Sequence, residues 1–163
     1  MDRRSFIKGS TMAGVAGLFS SDAAAKLIAS NEPDLQISDD AIRKFTYNKN
    51  GKFKILQITD THYVAGNPKS SRALDNVIEM LDTEKPDLVI HTGDIVYGKP
   101  AEQSIREILA PISERKIPFA VAFGNHDEEF DRTRAQMLDI VMSMPYNVNT
   151  RIDGIYGESN AVL

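Results

Sequence analysis

Apolar residues between positions 53 and 144 fall into two kinds of pattern that alternate along the chain. Three short continuous runs predict strands at Phe53–Thr59, Leu88–His91 and Ile117–Phe123. Apolar residues at a 3.6-residue period predict one helix after each of these strands. The first starts at Ser70 or Ser71, the second covers Ala101–Arg115 and contains Pro111, and the third covers about Asp131–Met144. The order β-α-β-α-β predicts an α/β fold with a parallel sheet joined by right-handed crossovers.

The two ends of this region carry weaker patterns. Ile42–Tyr47 resembles a strand, and Asn48–Gly51 is a turn signal, so the domain is predicted to open with a hairpin. Residues 151–163 indicate further strands around Gly154 and Gly157. Residues 42–163 together are predicted to form the folded domain, and the polar residues 26–41 a linker or leading arm.

The first 25 residues have the order of a signal peptide. A charged start containing Arg3-Arg4 is followed by a mildly apolar stretch and by the small residues Ala23–Ala25. The arginine pair resembles a bacterial twin-arginine signal, so we expect recognition by export machinery, cleavage after Ala25 and a periplasmic location. The apolar stretch is too short for a permanent membrane span. An ordinary amphipathic helix is the alternative, which the glycines at positions 9, 14 and 17 disfavour.

Length and composition indicate the number of domains and exclude some kinds of binding site. The 163 residues suit one domain, and the net charge of −4 comes with no basic stripe after residue 10, so nothing indicates a nucleic-acid-binding surface. The chain has no cysteine, which excludes disulfides and thiolate metal sites.

Each predicted strand runs into a polar cluster. The clusters are Asp60-Thr61-His62, Thr92-Gly93-Asp94 and Gly124-Asn125-His126-Asp127. The separations are about one βαβ unit each, so the clusters should meet at the carboxyl edge of the sheet. Their carboxylate, imidazole and amide groups form a mixed oxygen and nitrogen donor set that suits Mn, Fe or Zn.

The order D-x-H, G-D, G-N-H-D resembles the calcineurin-like metallophosphoesterases over about residues 53–130. The resemblance implies half of a β-sandwich flanked by helices, and phosphoester hydrolysis by a metal-bound hydroxide at a two-metal site. It implies that the first metal binds Asp60 and His62, that Asp94 bridges both metals and that Asn125 binds the second. His126 would stabilise the phosphoryl group or protonate the leaving oxygen, and Asp127 would orient His126 through a hydrogen bond. The implied substrate is a small phosphoester.

Three other polar positions need separate interpretation. His91 lies inside an apolar strand, and a structural, hydrogen-bonded role is predicted for it. Tyr97 follows Gly93-Asp94 as in the G-D-x-x-Y of purple acid phosphatases, where the tyrosine binds iron. Their first motif, however, reads D-x-G, whereas His62 occupies that third place here, so we expect Tyr97 to pack rather than bind a metal. Glu128 and Glu129 are predicted to be solvated.

The family's later histidine motifs, the last of the form G-H-x-H, have no counterpart, since His126 is the last of the three histidines. The expectation is therefore an N-terminal portion of the family's domain with little hydrolase activity of its own. One hypothesis is a phosphomonoesterase, favoured weakly by the G-D-x-x-Y likeness. The alternative is a non-catalytic remnant that binds a metal or phosphate. A flavodoxin-like binding domain is a weaker third hypothesis, because the first strand has no Gly-rich phosphate loop after it.

Overall fold

The computed structural model describes residues 45–152, 154 and 156–159. The predicted signal peptide (1–25) and leading arm (26–41) lie outside these residues. Within the described ranges, no helix combines the length and apolar character needed to cross a bilayer.

Three parallel strands form the sheet that positions the polar clusters. They are β1 (Ile55–Ile58), β2 (Leu88–His91) and β3 (Phe119–Val121), and β2 lies between the other two. Ile55 pairs with Leu88, and Val89 pairs with Phe119. The α/β fold with parallel strands is thus confirmed. β1 and β3 are shorter than predicted at both ends, and at their C-terminal ends the chain leaves the ladder and enters the loops that carry the polar clusters.

Three helices connect and follow the strands: α1 (Ser71–Glu84), α2 (Ala101–Glu114) and α3 (Arg134–Met142). Lys85 is the C-cap of α1: its N–H donates the last helical hydrogen bond to the Leu81 carbonyl, and its left-handed φ of 47° then turns the chain away from the helix. α3 begins later than predicted because Thr133 is its N-cap and forms a capping box with Gln136 in the first turn of the helix.

The main core lies between the sheet and these helices. Val89 and Phe119 from the sheet pack with Ile105 and Leu109 of α2 and Met137 of α3, all fully buried. The opposite sheet face carries a smaller cluster of Leu88, Ala120 and Val148, with Phe45, Phe53 and Ile90 packed against it. β1 is only partly covered on that face, where the Ile55 side chain is 53% exposed.

Two predictions at the ends of the domain were wrong for the described residues. Residues 45–47 are not a strand, although the following turn is formed, with Gly51 N–H bonded to the Asn48 carbonyl at 2.8 Å. The described residues after position 150 contain no strand. The chain meets the sheet earlier, where Asn147 forms a parallel bridge with Phe119. The buried Asn149 amide then binds both the N–H and the carbonyl of Val121 at 2.8 Å, as a strand backbone would.

Candidate metal centre

The loops after β1 and β2 carry their polar side chains on unusual backbone. Asp60, His62 and Asp94 have left-handed φ angles of 56°, 45° and 51°. Such angles cost a non-glycine residue about 1–3 kcal/mol and need support from their surroundings. Hydrogen bonds between the loops supply it, with Asp60 N–H bonded to Gly93 O at 3.1 Å and His62 N–H bonded to Asp94 O at 3.0 Å. The loops therefore run side by side beyond the end of the sheet.

Three side chains from the three clusters converge at this edge. His62, Asp94 and His126 are each partly buried and each offer one ligand atom, all within 4.8 Å of one another. His62 Nε2 lies 3.7 Å from Asp94 Oδ2. Two imidazole nitrogens and a carboxylate oxygen at such separations fit a divalent Mn, Fe or Zn ion.

Asp94 is the centre of the group. Its Oδ1 accepts a hydrogen bond from His126 N–H at 3.1 Å, while Oδ2 faces His62. Gly124 makes this approach possible, because a Cβ at that position would overlap Asp94 Oδ1 and would lie 2.5 Å from the Asp94 backbone nitrogen. The glycine before Asn125 is thus required by the packing of one loop against the other.

The other two predicted ligands, Asp60 and Asn125, lie in the loops that follow β1 and β3, at the same edge of the sheet. Asp60 is exposed, and its Oδ2 accepts a hydrogen bond from Thr59 Oγ1 at 2.6 Å. Asn125 is exposed as well and immediately precedes a short 3₁₀ helix at His126–Glu128. Both side chains are accessible from solvent.

Asp127 does not have the contact expected of it. Its carboxylate is 1% exposed and faces backbone donors, with Oδ1 accepting from Ile95 N at 2.8 Å and Val96 N at 3.1 Å, and Oδ2 accepting from Gly124 N at 2.8 Å. Burial raises the pKa of Asp127, while these three N–H groups oppose the rise. The prediction that Asp127 orients the His126 ring by a hydrogen bond was wrong in this respect. Asp127 instead joins the loop after β2 to the loop after β3.

Glu129 makes the contact with the His126 ring. Its Oε2 lies 2.8 Å from His126 Nδ1. This hydrogen bond is the main cause of a raised His126 pKa, with the charge of Glu129 adding to it. Glu129 is exposed, as is Glu128, which agrees with the predicted solvated positions, but Glu129 also pairs with His126, a contact that was not predicted.

His91 has the structural role predicted for it. The ring is 1% exposed, Nδ1 accepts from Gly93 N–H at 3.3 Å, and Nε2 lies 3.0 Å from Thr61 Oγ1. Thr61 in turn donates to the Ile95 carbonyl at 2.8 Å. Burial lowers the pKa of His91 to about 4, so the ring is neutral and carries its proton on Nε2. His91 therefore connects the two loops that carry His62 and Asp94.

Tyr97 lies against the centre. Its ring contacts His126 at a centroid distance of 4.7 Å and His62 at 5.4 Å, edge-on in both cases, and it also contacts Phe130. The side chain is 51% exposed. Tyr97 therefore packs against the two histidines of the donor group and lies outside the core.

Comparison with known proteins agrees with this geometry. Residues 53–160 match the calcineurin-like phosphoesterase family, a range that contains all three clusters. The chain belongs to the calcineurin-like phosphoesterase family. This assignment supports a metal-dependent phosphoesterase site at the edge where His62, Asp94 and His126 meet.

The similar proteins include phosphatases with and without an "inactive" label. The chain is 38% identical to "Probable inactive purple acid phosphatase 29" of Arabidopsis thaliana, over 63% of this chain and 31% of that protein. It is 35% identical to "Phosphatase DCR2" of Saccharomyces cerevisiae, over 68% of this chain and 22% of that protein. The chain thus spans a third or less of the length of these curated relatives.

A solved structure also resembles the chain at a greater distance. It is a dimetal phosphatase from Danio rerio, with 18% identity and a TM-score of 0.39 over 46% of this chain and 30% of that one. The likeness is too distant to add to the family assignment.

The sequence pattern located the clusters but missed two of their supports. Glu129 lies three residues after His126, a spacing that places two side chains together in a 3₁₀ turn. Thr61 lies between the predicted ligands Asp60 and His62. The signal for its role was that a hydrogen-bonded His91 had been predicted, and such a histidine needs a polar partner from a neighbouring loop. Both residues are identified by the fold, because each contact depends on a loop conformation.

Proposed function

We propose that this protein hydrolyses small phosphomonoesters at a metal centre held by the loops after β1, β2 and β3. The observation that carries the proposal is the convergence of His62, Asp94 and His126, one from each of these loops, on a single point. The family assignment supports metal-dependent phosphoester chemistry at that point.

In this proposal His62 and Asp94 hold the metal, with Asp60 and Asn125 completing the donor set. Asp94 suits a shared position because its two carboxylate oxygens face different neighbours, His126 N–H on one side and the His62 ring on the other. Bound divalent ions would supply a Lewis acid and a nucleophile that is available at neutral pH. The metal could be Mn, Fe or Zn.

In this proposal His126, the third member of the converging group, does not bind the metal and is the general acid. With Nδ1 next to Glu129, its Nε2 is the nitrogen left to face a bound phosphoryl group. As the bond from phosphorus to the leaving oxygen breaks, Nε2 passes its proton to that oxygen and the ring becomes neutral. Asp127 supports this step indirectly, because it holds the loop that carries His126 against the loop that carries Asp94.

Metal binding and hydrolysis can be tested separately. Titration of the purified, metal-free chain with Mn²⁺ in a calorimeter should show binding that Asp94→Ala abolishes. Asp75→Ala is the matched control, since Asp75 is an exposed carboxylate on α1 and should leave binding unchanged. Little hydrolysis is expected of this chain on its own, and what the Mn²⁺-loaded form shows should be faster with p-nitrophenyl phosphate than with bis(p-nitrophenyl) phosphate. Absence of metal binding, or equal binding by Asp94→Ala, would refute the proposed centre.

A non-catalytic metal-binding role is the second candidate. Among the described residues, three titratable side chains form one group, which suits one ion better than two. A site for a single ion favours this second candidate, because the expected hydrolysis uses two metals. Tight Mn²⁺ binding without hydrolysis of either phosphoester would establish this alternative over the first.

We also propose that the protein is exported, on the basis of Arg3-Arg4 and the small residues at positions 23–25. Mass spectrometry of protein from the periplasm of an expressing bacterium should find Lys26 as the first residue, and an Arg3→Lys, Arg4→Lys double variant should stay uncleaved. An intact N-terminus on periplasmic protein would contradict the proposal.

A further inference from the structure

His126 and Glu129 are linked twice within one turn of the chain. Glu129 N–H donates to the His126 carbonyl at 3.2 Å, and Glu129 Oε2 lies 2.8 Å from His126 Nδ1. Residues three apart eclipse each other in a 3₁₀ turn, which has 3.0 residues per turn, so the two side chains extend from the same side of the backbone. The backbone conformation of His126–Glu128 therefore brings the carboxylate to the ring.

Other carboxylates near His126 are engaged elsewhere. Both oxygens of Asp127 accept from backbone N–H groups of Ile95, Val96 and Gly124. Glu128 points to Arg134, with its Oε1 at 3.0 Å from Arg134 Nε. Asp94 faces His62 and the His126 backbone N–H. Glu129 is thus the acidic side chain in hydrogen-bond contact with the His126 ring.

We propose that Glu129 is a positioning residue for His126. It accepts a hydrogen bond from Nδ1–H, which fixes the ring orientation and leaves Nε2 as the nitrogen directed to the phosphoryl group. A carboxylate that holds one imidazole nitrogen fixes the tautomer and raises the basicity of the other nitrogen. The Tyr97 ring also contacts the His126 ring, edge-on at a centroid distance of 4.7 Å. A role for Glu129 in catalysis rests on the proposed function, whereas the orientation of the His126 ring can be tested without it.

The structural consequence is a defined tautomer that can be observed without any activity. A neutral histidine in water prefers the Nε2–H tautomer, whereas Glu129 selects Nδ1–H in His126. His91 has the opposite tautomer, because its Nδ1 accepts from Gly93 N–H. The three histidines of the chain give few enough ring signals for each nitrogen to be assigned.

The test is long-range ¹H–¹⁵N NMR of the metal-free 163-residue chain at a pH above the His126 pKa. His62→Gln and His126→Gln variants assign the signals. In the wild type we expect the His126 proton on Nδ1. Glu129→Ala should move it to Nε2, whereas Glu128→Ala, which removes the adjacent exposed glutamate, should leave it on Nδ1. A wild-type His126 in the Nε2–H form, or an unchanged tautomer in Glu129→Ala, would overturn the inference.

If the loaded protein hydrolyses p-nitrophenyl phosphate, a second measurement tests the catalytic meaning. Loss of a residue that orients an acting group typically costs about 10–100-fold, so Glu129→Ala should lower kcat by at least about tenfold with little change in KM. Glu128→Ala should have neither effect. A tautomer change without a change in kcat would limit Glu129 to a structural role, and a lack of any hydrolysis would count against the proposed function alone.

Discussion

Replacing Asp127 with alanine should strongly destabilise the protein, because it removes the acceptor for three backbone N–H groups. These belong to Ile95, Val96 and Gly124, at 2.8, 3.1 and 2.8 Å from the carboxylate. Ile95 and Val96 are fully buried, so water cannot easily replace the lost acceptor. An unsatisfied buried donor costs about 1–3 kcal/mol, so three of them would cost at least about 3 kcal/mol. Burial of the Asp127 carboxylate, which raises its pKa, offsets part of this, so we expect the lower end of the range.

Urea unfolding of the metal-free chain measures this cost. With a slope of about 1–3 kcal/mol per molar urea, a loss of about 3 kcal/mol lowers the unfolding midpoint by about 1–3 M at an unchanged slope. The matched control is Asp131→Ala, because Asp131 accepts from a single backbone donor, Ala101 N–H at 3.0 Å. Its loss should cost about 1 kcal/mol. A cost for Asp127→Ala below about 1 kcal/mol, or equal to that of the control, would refute the account of Asp127 as the link between the loops.

Three further measurements test individual residues of the centre. The new Cβ of Gly124→Ala would overlap Asp94 Oδ1, so this variant should lose about 1–3 kcal/mol in its free energy of unfolding by urea and should bind Mn²⁺ more weakly. Mn²⁺ binding equal to that of the wild type would contradict the close packing. His91 has its pKa lowered to about 4 by burial, so stability is complete above the ordinary value of 6.5 and falls as the pH falls towards 4. Between pH 6.5 and 5 this loss should reach up to about 2 kcal/mol in wild type and be absent in His91→Gln, and an equal slope in both would exclude His91 as its source. Tyr97→Phe should leave Mn²⁺ affinity within about twofold, and a purple tyrosinate band in iron-loaded wild type would show instead that Tyr97 is a ligand.

The sheet and the location of the centre could be predicted from the sequence because both depend on local patterns. The three apolar runs and the helical periodicities between them determine a parallel sheet, and parallel strands bring their C-terminal ends to one edge. Asp60, Asp94 and Asn125 follow those strands directly, so their common location required no knowledge of packing.

The partners of the acidic side chains could not be predicted in the same way. The contact of Asp127 with His126 was expected from the family resemblance, whereas adjacent side chains in a 3₁₀ turn point in different directions. The carboxylate of Asp127 instead faces Ile95 and Val96, about thirty residues earlier in the chain. Glu129 is in the position that the turn makes available to His126. The Asp127 contacts depend on how two loops pack, which no local pattern in the sequence records, and the Glu129 contact depends on a 3₁₀ turn that was not predicted from the sequence.

The left-handed residues connect the stability of the fold to the chemistry of the centre. Asp60, His62 and Asp94 each have positive φ, at a cost of about 1–3 kcal/mol apiece that the surrounding contacts must offset. Those contacts are the hydrogen bonds between the two loops, together with contacts from residues outside the proposed ligand set, namely Asp127 with its three backbone donors and His91 with Thr61 and Gly93. The free energy needed to arrange the donor side chains is therefore supplied when the chain folds, and metal binding requires no further ordering of the loops. It follows that substitutions at Asp127 or His91 should weaken metal affinity as well as stability, although neither side chain belongs to the group of converging ligand atoms.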